Sequence, residues 1–133
     1  MSSSDLSKDF LRVPTLEAGG ANWVIYKDRL RWAADARGFL GHLDGRKLEP
    51  ISPTTPEEGA DAATKKRYRE DMKTYDEEMT AWGRGEAIMK QLVASTIPDS
   101  LFMKIRNKGT AAEIWQALAG DFEHKSRTVS VNL

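Results

Sequence analysis

The chain has 133 residues, room for one domain with a single core, and its 40% apolar and 30% charged residues describe a water-soluble globular protein. Twenty basic side chains balance twenty acidic ones, so no chain-wide field draws it to nucleic acid, membrane or an acidic substrate. The absence of cysteine removes disulfides, thiolate nucleophiles and Cys-based zinc sites.

Residues 1–21 mix serines with Pro14, Gly19 and Gly20 and read as an extended arm, pinned by Phe10, Val13 and Leu16. Met1 to Asp5 has neither a basic start nor an apolar run, and no stretch reaches the roughly 18 apolar residues of a membrane span. The expected location is therefore cytoplasmic, with no membrane partner. Asn22 is placed as an N-cap, and Trp23, Tyr26, Leu30, Ala33 and Ala34 recur at helical spacing until Gly38.

Between residues 38 and 60, Gly38, Gly41, Gly45, Pro50, Pro53, Pro56 and Gly59 predict a loop with at most one short turn. From about Asp61, the sequence Tyr68, Met72, Tyr75, Met79, Trp82 follows a four-three-four-three rhythm and lines one face of a long helix. Gly83 and Gly85 each cost about 1 kcal/mol relative to Ala, which predicts a bend or break before Ile88, Met89, Leu92 and Val93 resume the apolar face.

Pro98 closes that segment and opens a short helix with Leu101, Phe102 and Ile105 on its buried side. Thr110-Ala-Ala-Glu113 matches a capping box, in which Thr110 accepts from the N3 amide and Glu113 reaches back to the cap amide. Ala111, Trp115, Leu118 and Phe122 form the stripe behind it. Lys125, Ser126 and Arg127 read as a polar joint, followed by the first turn of another helix from Val129 to Leu133. With no strand-period segment, the fold class is all-α: a small domain of about four to five helices over residues 22–133, truncated at its C-terminal end.

Little in the chain suits catalysis. His42 and His124 lack a ligand-spaced partner and read as surface or loop histidines. The glycines at 38, 41 and 45 lack the preceding strand and the Gly-Lys-Ser/Thr ending of a phosphate loop. Asp76-Glu77-Glu78 reads as a solvated helix face. Lys65, Lys66, Arg67 and Arg69 form a basic cluster that Glu70 and Asp71 offset, and the aromatics sit mostly at core spacing rather than as a base-stacking platform. No catalytic residue, metal, cofactor or small-molecule substrate is expected.

Leu16-Glu-Ala-Gly-Gly-Ala-Asn22-Trp23, with Tyr26-Lys27 and the stretch from Gly38 to Gly45, resembles the start of copia-type LTR-retrotransposon gag polyproteins. Those open on a Leu-x-Gly-x-Asn-Trp/Tyr element and a helix with a second aromatic, here Tyr26 where Trp is common. Trp82, Ala87, Ile88, Pro98-Asp-Ser-Leu101, Ile105, Thr110-Ala-x-Glu113-x-Trp115-x-x-Leu118, Phe122 and Lys125-Ser126 extend the likeness in the same order. The structural motif residues are then Trp23, Tyr26, Leu30, Trp82, Ile88, Leu92, Leu101, Ile105, Thr110, Glu113, Trp115, Leu118 and Phe122. Such a region is similar to the N-terminal part of a helical capsid domain. The resemblance implies a homo-oligomer that self-associates through gag–gag contacts into virus-like particles. The zinc knuckle of the family would lie downstream, so only weak RNA association is expected here. The alternative is a recruited or remnant gag fragment that binds RNA or other proteins.

Overall fold

In the computed structural model, residues 12–131 are described, and side chains through His124. Helix α1 spans Trp23–Ala36 and buries Trp23, Tyr26, Leu30, Ala33 and Ala34, the face that its three- and four-residue spacing marks out. It ends in a Schellman motif. Gly38, at φ +82°, donates to Asp35 O, and Phe39 N donates to Ala34 O, both at 2.9 Å. Asn22 stands at the N-cap position without capping the helix. Its Oδ1 accepts from Glu17 N at 2.9 Å and its Nδ2 donates to Thr15 O at 3.0 Å, so the side chain clamps the arm instead. The arm is anchored beyond that clamp: Leu16 is buried in the core and its amide donates to Thr96 O at 2.8 Å, with Val13 packed alongside. Phe10 lies outside the described residues.

The stretch expected to be loop contains a five-residue helix, α2, Leu40–Asp44, ended by Gly45 at φ +76°. From there the chain runs beside helix α3, Ala62–Ala94, which at about 1.5 Å per residue is roughly 50 Å long. Trp82 Nε1 donates to Lys47 O at 3.0 Å, and Ser52 Oγ meets Met72 Sδ at 4.0 Å. Ten helical residues cover about 15 Å, and five residues of extended chain at about 3.1 Å each cover the same length. The proline-bearing strap therefore lies antiparallel to α3, beside the half-buried Tyr68, Met72, Tyr75 and Met79. A turn at Glu57–Ala60 reverses it, and Asp61 caps α3 by accepting from Thr64 N at 2.8 Å. The Thr64 hydrogen bonds hold the Asp61 carboxyl below its ordinary range.

Helix α3 runs uninterrupted through Gly83 and Gly85, where a bend or break is expected from the sequence. Helix α4, Asp99–Ile105, buries Leu101 and Ile105. Phe102, expected beside them, is 38% exposed. Helix α5 spans Ala111–Val131, so the expected joint at 125–127 and the separate helix beyond it are one continuous helix. Lys, Ser and Arg lower helix propensity too little to end a helix by themselves. These five helices, with no strand among the described residues, form an all-α domain. Helix α5 packs against α2, α3 and α4, and α2 also touches α1 and α3. The short helix is thus a wedge between the long ones.

Candidate functional site

Two separated stretches of sequence meet in the core. Trp23 of α1 stacks on Phe122 of α5, ring centroids 5.4 Å apart at 25°, and lies 5.5 Å from Trp115. Tyr26 adds a fourth ring, 6.0 Å from Trp23 and 6.3 Å from Trp115. Gly20 belongs to this junction: its φ is +80°, and a Cβ there would collide with the Phe122 ring. Trp23 Nε1 is buried with no hydrogen-bond partner among the described residues, a cost of about 1–3 kcal/mol that the packing offsets.

Tyr26 and Thr96 tie α1 to the end of α3. Thr96 Oγ1 lies 2.8 Å from Leu92 O and 3.0 Å from Val93 O, so its hydrogen is directed to the backbone and the Tyr26 hydroxyl donates to Thr96 Oγ1 at 2.8 Å. Burial pushes the Tyr26 phenol up to about 12.

A buried polar node lies on the other side of the wedge. His42, which the sequence suggests is a surface or loop histidine, is buried in α2, and its Nδ1 is 2.7 Å from Glu86 Oε2. Glu86 Oε1 accepts from Ala111 N at 2.9 Å, so one carboxylate holds the histidine of α2 and an amide of the first turn of α5. Phe39 and Trp82 flank the imidazole at 5.7 and 6.2 Å. Gly85 is required beneath it, because a Cβ would run into the ring. Both carboxylate oxygens are already engaged, and among the described residues no group of three or more His, Cys, Asp or Glu could hold a metal ion.

The cap of α5 differs in detail from the expected box. Thr110 Oγ1 accepts from Glu113 N at 3.1 Å, but Glu113 Oε2 reaches past the cap residue to Gly109 N at 3.0 Å. The remaining motif residues divide by position. Trp23, Tyr26, Leu30, Leu101, Ile105, Trp115, Leu118 and Phe122 are buried in one core. Ile88 and Leu92 pack against it and line a shallow groove of about 350 Å³ with Arg37, Gln91 and Ser95. Trp82 stands apart from that core, half-buried over the strap.

Sequence reasoning missed the outer face of α1. Trp32 is 77% exposed, and Ile25 and Val24 are 57% and 60% exposed. Trp32 lies off the stripe formed by Trp23, Tyr26, Leu30, Ala33 and Ala34, and that offset was the available signal. It missed Glu86 as well, although a carboxylate three residues before Met89 sits on the apolar face of α3. A second, charged surface is the α4–α5 corner. There Lys90, Arg106 and Lys108 line a groove of about 360 Å³ with Phe102 and Ile105, and Lys104 stands beside it.

Among the described residues no helix is long and apolar enough to cross a membrane. Searches of curated proteins and of solved structures returned no match. Residues 30–133 match the family model for the gag-polypeptide of LTR copia-type, a stretch that contains the His42–Glu86 node, the α5 cap and the Trp115–Phe122 segment. The chain therefore belongs to the copia-type LTR gag-polypeptide family.

Proposed function

We propose that this chain is a structural gag protein that works by self-association into a particle shell and carries no catalytic activity of its own. The observation that supports this reading is the exposed apolar face of α1. A tryptophan side chain offers on the order of 200 Å² of contact surface, and Trp32 leaves most of its own uncovered beside Ile25 and Val24. A patch of a few hundred Å² is the scale at which exposed apolar surface marks an interaction site. The test is sedimentation of the full chain over a hundredfold concentration range, with electron microscopy of the concentrated sample. Rising mass and closed particles are expected. A strictly monomeric chain throughout would overturn the reading.

The basic corner favours a second reading, weak RNA association. Lys104, Arg106 and Lys108 are exposed on one turn, with Lys90 alongside. Binding to single-stranded RNA should then fall steeply with salt. Binding unchanged between low and moderate salt would exclude it.

A further inference from the structure

We infer that the outer face of α1 pairs with the same face of a second copy about a twofold axis parallel to the helix. This deepens the self-association reading and rests on it. The occupant is argued from the arrangement of charge. At about 100° per residue, Ile25 and Trp32 lie about 20° apart on the helix surface. Asp28 stands about 50° to one side of their mid-line and Arg29 about 50° to the other. All four side chains are exposed.

The neighbouring cations of α1 are turned inward to their own fold. Lys27 pairs with Glu123 at 3.4 Å and Arg31 with Asp44 at 2.7 Å. Asp28 and Arg29 enter none of the ion pairs found among the described residues. The face is therefore an apolar line with one acidic and one basic edge, and such a face is complementary to itself. A twofold axis parallel to α1 sets the acidic edge of each copy against the basic edge of the other. Asp28 then meets Arg29 of the second copy twice, and Ile25 and Trp32 meet their counterparts between the two ion pairs. An antiparallel pairing instead opposes like edges and brings Asp28 against Asp28.

The area sets the strength. Trp32 and Ile25 offer no more than a few hundred Å² per copy, below the about 1,200 Å² total of a stable dimer. The contact is accordingly weak alone and gains strength where many copies assemble.

The test is sedimentation equilibrium of the full chain, its Trp32→Ala, Asp28→Arg and Arg29→Asp variants, and the Asp28→Arg/Arg29→Asp double variant. Helix content and melting temperature of each serve as fold controls, and they should hold because these side chains are exposed. Trp32→Ala is expected to weaken association by at least about 30-fold, the scale of an interface anchor. Each single charge reversal should weaken it several-fold, and the double reversal, which exchanges the two edges, should restore it. Association that persists unchanged in Trp32→Ala would overturn the inference and leave the self-association reading standing. So would single reversals without effect, or a double variant weaker than both. A wild-type chain that stays monomeric would overturn both.

Discussion

Gly85 and Gly83 lie two residues apart in α3, and the same substitution should act on them with opposite signs. Replacing Gly by Ala inside a helix gains about 1 kcal/mol from backbone propensity alone. At Gly83 nothing lies within 4 Å of the added Cβ, so Gly83→Ala should be stabilising by about that amount. At Gly85 the Cβ arrives inside contact distance of three atoms of the His42 imidazole. The ring has no room to withdraw, because Phe39 and Trp82 flank it and Glu86 holds Nδ1 at 2.7 Å. Overpacking of this kind costs about 1–3 kcal/mol, and a displaced ring would leave a buried carboxylate one partner short for about 1–3 kcal/mol more. Set against the propensity gain of about 1 kcal/mol, the net expectation for Gly85→Ala is destabilisation by about 1–5 kcal/mol. Thermal and urea denaturation followed by circular dichroism read both variants. In a domain of this size 1 kcal/mol moves Tm by roughly 3–5 °C. If Gly85→Ala raised Tm as Gly83→Ala does, the close packing of His42 on α3 would be refuted.

Three further outcomes follow from the same geometry. Glu86→Ala deprives His42 Nδ1 and Ala111 N of their acceptor and should cost about 1–3 kcal/mol for each, whereas Glu86→Gln keeps an oxygen for the amide and should cost less; urea midpoints that rank the two equally would deny the bridging role. The Tyr26 phenol titrates near 12 in the folded state against 10 unfolded, so its contribution, on the order of 3 kcal/mol, is complete below pH 10 and lost as pH rises toward 12. Tyr26→Phe should abolish that alkaline loss, read by stability curves between pH 9 and 12. Trp115→Ala should cost about 3–5 kcal/mol and Trp32→Ala no more than about 0.5 kcal/mol, since one ring is buried in the aromatic junction and the other faces water; similar melting shifts for both would contradict their placement.

The helices that sequence periodicity located are those whose apolar stripe is read without knowing a partner. Trp23, Tyr26 and Leu30, then Leu101 and Ile105, then Trp115, Leu118 and Phe122 all face one core at the spacing the chain displays. What escaped depends on contacts distant in sequence. Helix α2 is five residues long and set among glycines, too short for a period to register, and tertiary packing between α1, α3 and α5 holds it. The two glycines in α3 predict a weak point because propensity is local. The ring that makes Gly85 necessary comes from residue 42. Asn22 and Glu113 stand at the cap positions that the sequence marks, but Asn22 turns back to Glu17 N and Thr15 O, and Glu113 reaches Gly109 N, one residue before the cap, choices of rotamer that sequence does not encode. Tryptophan is read as core by default, and Trp32 shows the limit of that habit.

The features that carry the likeness to copia-type gag proteins serve mainly to close the core. Leu16 anchors the arm, Gly20 clears space for Phe122, Asn22 clamps the arm to α1, and Trp23 stacks on the aromatic rings of α5. Glu86 then ties the other end of the wedge to the first turn of α5, which the Thr110 and Glu113 cap completes. Because the Leu16–Trp23 and Thr110–Phe122 stretches meet inside one junction, neither can seat its aromatic rings without the other. The consequence for assembly is a division of labour along α1 itself. Its inner face, Trp23, Tyr26 and Leu30, is fully committed to the fold, and its outer face, Ile25, Asp28, Arg29 and Trp32, is exposed and serves the contacts between copies proposed above. Substitutions that separate folding from assembly should therefore lie on the outer face of α1, while those in the Trp23–Phe122 junction should remove both together.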